Sequence, residues 1–231
     1  MVVKMSNLSK EYTGDFYDAD YYENGKSSGK GWLENYRWMP RRSIKEAFAY
    51  IEYLDLNETS RVLDVGCAKG FIVKALNILE IPTEGCDISE YALGFTEGNC
   101  WNCSDDSSWS SHGKYTHAIS KDVFEHLTKE QLPKVLHNIS KVTKKLMCII
   151  PMGDNGKYRI PEYHMEISHL ICENEIWWRE IFEECGWFVI KDTNHVPGLK
   201  DNWQSSANGI GNHVFVWRRC DNRILNRKFW K

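Results

Sequence analysis

An acid, two glycines and a second acid carry the strongest chemical signal in this 231-residue chain. They are Asp64, Gly66 and Gly70 in VLDVGCAKG, and Asp87 in GCDIS. A buried apolar strand that runs into a glycine turn and then a helix is where open α/β sheets hold ligands, at the carboxyl ends of the strands. Gly66 lets the backbone approach a ligand, and Gly70 lets the next helix pack against the strand. The pattern is not G-x-G-x-x-G, in which three glycines and bare N–H groups hold a pyrophosphate. Asp64, just inside the turn, would repel a pyrophosphate and attract an ammonium or a sulfonium. Asp87, at the end of the next strand, is placed to accept hydrogen bonds from both hydroxyls of a ribose. Two acids at the tips of adjacent strands describe a nucleoside site without phosphates. The purely structural alternative is an ordinary strand–glycine–helix turn with Asp64 as a helix cap.

A second group follows. Ser120 and Lys121 end a strand, and Asp122, Glu125 and His126 come next in SKDVFEHL. On a helix, spacings of i, i+3 and i+4 share one face. Histidine is the usual base near neutral pH, and carboxylates mixed with imidazoles also suit a divalent ion. His164 and His169 stand later, in EYHMEISHL. Three readings of Glu125 and His126 stay open: a base or substrate contact, a metal site shared with Asp122 and a later histidine, or a pair that only orders the loop.

These residues need a sheet to hold them. Residues 61–66, 83–87, 114–120, 145–151, 187–192 and 213–219 read as strands. Stretches 43–56, 71–80, 89–98, 122–127, 130–143 and 173–186 read as helices, with Ser89 as an N-cap and Gly186 as a terminator. Alternation of the two predicts a mostly parallel sheet covered on both faces. No helical crossover separates the last two strands, so they are expected to pair antiparallel. Residues 12–38 hold eight aromatics among Gly, Asp, Asn and Ser. Glycines 25, 29 and 31 argue there against regular structure. That segment is read as a lid over a ligand, or as a meander packed on the core.

Net charge is −3, which offers no general attraction to nucleic acid or anionic membrane. No apolar run reaches the roughly 18 residues of a membrane span. The eight cysteines show no framework spacing, so reduced thiols and a cytoplasmic protein are expected. CWNC at 100–103 lacks the second ligand pair of a zinc site. The tail 218–231 carries six basic residues against one acid, read as a solvated end with a phosphate or acidic partner as the alternative.

The motif D-V-G-C-x-x-G, with an acid closing the next strand, resembles class I S-adenosylmethionine-dependent methyltransferases. The resemblance extends through THAISKDVFEHL, KLMCIIP and CGWFVI, over roughly residues 43–219. It implies an α/β, Rossmann-like, seven-stranded sheet, mostly parallel with an antiparallel last strand. It divides the chain into a lid segment (1–42), a methyltransferase domain (43–219) and a basic tail (220–231). Implied cofactor contacts are Asp64, Gly66, Cys67 and Gly70, then Asp87 and Ile88, Asp105 near the adenine (or Asp106 beside it), and Ser120. His126 and Glu125 are the implied catalytic pair. GCAKG with DISEYAL is similar to bacterial and phage enzymes acting on small metabolites and sugars. D-x-x-E-H resembles the E-x-x-E-H of metal-using RNA and quinone-precursor methyltransferases. The sequence assigns no metal ligand and leaves that reading as the alternative.

The expected function is methyl transfer to a small metabolite or sugar by in-line displacement, where the protein mainly supplies alignment and a dry pocket. Methylation of nucleic acid or protein, and a non-catalytic cofactor-binding module, are the alternatives. A nicotinamide enzyme is disfavoured by Ala68, which stands where the fingerprint has its second glycine.

Overall fold

The computed structural model describes residues 11–201 and 211–220. Most of the basic tail, residues 221–231, lies outside them, as do residues 1–10 and 202–210. Strands β1 (Val62–Val65), β2 (Thr83–Asp87), β3 (Cys100–Asn102), β4 (His117–Lys121) and β5 (Lys145–Pro151) pair in parallel. A two-stranded hairpin, β6 (Gly153–Asp154) and β7 (Lys157–Tyr158), follows. Strand β8 (Trp187–Thr193) is at the sheet edge, and β9 (Asn212–Arg219) inserts antiparallel between β5 and β8. The seven strands run in the order β3-β2-β1-β4-β5-β9-β8. The order reverses between β2-β1 and β4, which puts the topological switch point beside Asp64.

Side chains alternate along a strand, and the two cores follow from that. Leu63, Val65, Ala118, Leu146, Cys148, Phe215 and Trp217 point to one face. There they meet α5 (Ser108–Ser111), α6 (Gln131–Val142) and α7 (Glu175–Glu184). Val62, Ile119, Met147, Ile149, Val214 and Val216 point to the other face, against α2 (Pro40–Leu54) and α3 (Phe71–Ile78). Phe182 stacks on Trp217 with ring centroids 4.3 Å apart. Each such side chain contributes about 1.5–3 kcal/mol by burial.

Three local expectations are corrected. Within 12–38, expected to be irregular, α1 (Ala19–Ser28) forms. The Asp18 carboxylate caps it by accepting from the Tyr21 N–H at 3.1 Å, and Gly29 ends it at φ 73°. Gly25 packs inside the segment, where a Cβ would come within 2.7 Å of the Leu33 carbonyl oxygen. Gly29 therefore closes the helix, and Gly25 packs it just after a kink at Asn24, where φ is −135° and ψ 25°. The helix expected over 89–98 shrinks to α4 (Glu90–Leu93), capped by Ser89 as expected. The helix expected at 122–127 is a single 3₁₀ turn, Phe124–His126. Asp122 precedes it in the left-handed region, at φ 58°, so it does not share a helix face with Glu125 and His126.

Residues 12–36 fold back over the carboxyl ends of the strands. Tyr17, Tyr21 and Tyr22 bury against Ala92, with Ile88, Ala68 and Tyr91 beside them. The Ser89 hydroxyl donates to the Tyr17 carbonyl. Gly14 lies so close that a Cβ there would meet the Ile88 carbonyl oxygen at 2.1 Å. Lys69, buried at the start of α3, pairs with Glu23 and donates to the Tyr36 carbonyl at 2.9 Å.

Candidate active site

A cavity of about 1040 Å³ opens at the switch point, between the strand ends and the aromatic segment. One side of it is built by the β1–α3 turn. Gly66 takes φ 78°, and a Cβ on it would come within 2.3 Å of Val123 Cγ2. Only glycine fits that combination of backbone and neighbour. The N–H groups of Gly66 and Cys67 both donate to the Cys86 carbonyl, at 2.8 and 3.0 Å, which fixes the turn to β2. Gly70, at φ 70°, caps α3.

Asp64 and Asp87 both line the cavity. The Asp87 carboxylate accepts from the Ala68 N–H at 2.7 Å and the Ser89 N–H at 2.9 Å. Each of its oxygens has a further lone pair to offer. Burial raises its pKa against the pull of those N–H groups. Burial also raises Asp64, to about 7, partly offset by Lys121. Cys67 and Ile88 line the same wall, and Asp105 and Asp106 the far end. Asp105 accepts from Ser107 N–H at 2.8 Å, while Asp106 accepts from Asn138 at 2.6 Å. Gly70 and Ser120 stand behind the wall, the Ser120 hydroxyl donating to the Val65 carbonyl at 3.1 Å.

The opposite side is assembled from distant segments. Leu170 and Ile171 donate to the Glu125 carbonyl at 2.7 and 3.0 Å, which binds the 3₁₀ turn to the segment 166–171. That brings His169 beside His126, ring centroids 4.6 Å apart. His164 goes elsewhere and accepts from the Tyr158 N–H. His126 Nδ1 lies 2.8 Å from the Ser168 hydroxyl, which donates to Glu166 at 3.0 Å. His126, His169 and Glu166 line the cavity, and Glu125 is fully buried behind them. Burial pushes His126 down to about 4 and His169 to about 2, so both are neutral at pH 7. Burial pushes Glu166 up to about 7 and Glu125 well above the carboxylate range.

Charged pairs frame this side. Lys121 and Arg42 hold the buried Glu46, at 2.6 and 3.1 Å. Lys200 pairs with Asp122 and donates to Asn212 at 3.0 Å. Sequence reading missed Glu166 as a cavity residue and named Tyr17 only within the aromatic segment 12–38 read as a lid. Only the Glu within EYHMEISHL offered a signal, since its companions are separated from it in sequence. All eight cysteines are unbridged.

The acid pair, the glycine turn and the sheet order together define a Rossmann-like nucleoside-binding enzyme. Residues 34–193 match the family model described as a methyltransferase domain. The chain belongs to that family and is an S-adenosylmethionine-dependent methyltransferase.

Solved structures share the fold at low identity. An S-adenosylmethionine-dependent methyltransferase from Archaeoglobus fulgidus superposes with a TM-score of 0.58 at 18% identity, covering 77% of this chain and 94% of that one. A complex of a methyltransferase activator and a putative methyltransferase from Haloferax volcanii gives 0.63 at 14%, covering 92% and 100%. The magnesium protoporphyrin IX methyltransferase of Synechocystis, with bound S-adenosylhomocysteine, gives 0.54 at 17%, covering 78% and 84%. No curated protein matches the sequence. No helix among the described residues is long and apolar enough to cross a membrane.

Proposed function

We propose that the protein transfers the methyl group of S-adenosylmethionine to a small-molecule acceptor that is enclosed in the cavity during reaction. The observation that carries this reading is the roof. Tyr12, Tyr17, Tyr21, Tyr22, Trp32 and Tyr36 line the cavity, and Tyr12 reaches across it to the Ile167 carbonyl at 2.9 Å. A volume of about 1040 Å³ suits a nucleoside cofactor together with a compact acceptor. A covered chamber with aromatic walls favours a metabolite or sugar over a polymer. The neighbour from Synechocystis, a porphyrin methyltransferase by its description, is consistent with that class.

In this reading Asp87 accepts from the ribose hydroxyls. Asp64 and the Gly66 turn hold the methionine end, and Asp105 or Asp106 lies toward the adenine. The cofactor supplies the activated methyl group. The chain's own work is to align the acceptor and exclude water. His126 faces the acceptor. With its pKa near 4 it is a weak base for the acceptor proton. Glu166, near 7, is the better matched proton acceptor for a hydroxyl. Glu125 acts from behind, without touching substrate. The N-terminal segment acts as the lid. An acceptor screen with methyl-labelled cofactor tests the proposal. Transfer to a small hydroxylated or amine compound is the expected result, and transfer to tRNA or bulk protein alone would refute it.

A further inference from the structure

Beside the acceptor space two imidazoles and a fully buried carboxyl group converge. Both oxygens of the fully buried Glu125 lack a hydrogen-bond partner. His169 Nδ1 lies 2.9 Å from the Tyr163 carbonyl, so Nδ1 carries the proton and Nε2 carries the lone pair. That Nε2 faces Glu125 Oε1 at 3.9 Å, beyond hydrogen-bond reach. Ser168 donates to Glu166, which leaves its oxygen able to accept from His126 Nδ1. The lone pair of His126 is then also on Nε2. One ligand atom from each of Glu125, His126 and His169 lies within 4.8 Å of the other two. Two imidazoles and a carboxyl group thus meet, and the carboxyl makes no hydrogen bond to either ring. Burying such a set without a cation leaves polar atoms unsatisfied.

We propose that Glu125, His126 and His169 bind one divalent transition-metal ion. Two nitrogens and one carboxylate oxygen suit zinc, manganese or iron(II) better than magnesium, which favours oxygen shells. The outer shell is already built. Each histidine donates its other nitrogen to an oxygen, the arrangement that orients imidazole ligands on metals. Ligand atoms bound at about 2.1 Å to one ion stand at most about 4.2 Å apart, so closure needs shifts of about half an ångström. The ion enters through the cavity, since His126 and His169 line it. Asp122 is not a ligand, because Lys200 holds it. The set therefore differs from the D-x-x-E-H string and takes its third member from 43 residues further on. Open positions on the ion face the acceptor space, where they would orient an acceptor oxygen. That role rests on the methyltransferase reading, and the site itself does not.

The test uses the full chain stripped with chelator and titrated with cobalt(II), read by visible absorption and by bound-metal analysis. Binding of S-adenosylhomocysteine is measured in parallel by calorimetry. One equivalent of cobalt is expected, displaced by zinc. Glu125→Gln and His169→Gln should each weaken it at least about tenfold, and Asp122→Asn should leave it within about twofold. His169→Gln carries the test alone if the buried Glu125→Gln chain fails to fold. Stoichiometric cobalt without S-adenosylhomocysteine binding would uphold the metal site and remove the methyltransferase reading. Folded, cofactor-binding protein that takes up no cobalt would overturn the proposal. Wild-type affinity in His169→Gln, or loss of binding in Asp122→Asn, would overturn it as well.

Discussion

The two walls of the cavity are built on different principles. The wall proposed to hold the cofactor comes from neighbouring strands and the turn between them, and its hydrogen bonds are mainly to backbone. The acceptor wall joins the 3₁₀ turn, the segment 161–171, Lys200 and the N-terminal aromatics, through side chains distant in sequence. A wall fixed by backbone geometry tolerates little change in side chain. A wall assembled from separate segments can change its chemistry while the sheet stays the same, which is how one fold serves many acceptors.

Gly66→Ala strikes the first wall hardest. The positive φ costs about 1–2 kcal/mol, and the clash with Val123 adds roughly 1–3 kcal/mol of overpacking. A lowered denaturation midpoint together with lost S-adenosylhomocysteine binding is expected. A wild-type midpoint would mean that the turn is not fixed as described.

His126→Ala strikes the second wall. Turnover should fall about 10²-fold, the scale of a positioned catalytic contact, while calorimetric cofactor affinity stays within about twofold. Equal losses in both would show that the two walls are not separable.

Asp87→Ala returns to the first wall, with a smaller effect. Loss of a charge-assisted hydrogen bond should cost roughly 1.5–3 kcal/mol of cofactor affinity. Circular dichroism must show the variant folded, since Asp87 also holds the Ala68 and Ser89 N–H groups.

The mildest test is pH. Asp64 has a pKa of about 7 in the free protein, and a cationic cofactor end binds its ionised form. Affinity should rise about tenfold from pH 6 to pH 8 and then level off. Asp64→Asn should flatten that curve. The same raised pKa works against folding as pH climbs. Its contribution is full below about 4, where the unfolded carboxyl is also protonated, and is lost by about 7.

The division between the walls also decides what could be read in advance. Strands 62–65, 83–87 and 145–151 announce themselves by apolar runs ended by glycine or proline. The antiparallel pairing of the last two strands follows from the missing crossover. Asp64, Gly66 and Asp87 occupy one corner because strand order and turn leave them no other place. Helix α1 was hidden because its sequence is polar and holds a glycine, and tertiary burial of Tyr21 and Tyr22 supplies what propensity does not. Asp122 looked like a partner of Glu125 by spacing. A left-handed residue at the strand end breaks that periodicity, and nothing local to the sequence reports it. Glu166, Ser168 and His126 form a chain that only the folded loop creates.

Lys69 joins the two halves of the molecule in one further way. Its ammonium lies over the Phe95 ring at 4.4 Å and is held by Glu23 and the Tyr36 carbonyl, yet its backbone belongs to the cofactor turn. Lifting the N-terminal segment removes both oxygens from that cation at once. In the lid reading, opening therefore gives up an ion pair and a hydrogen bond at one ammonium together.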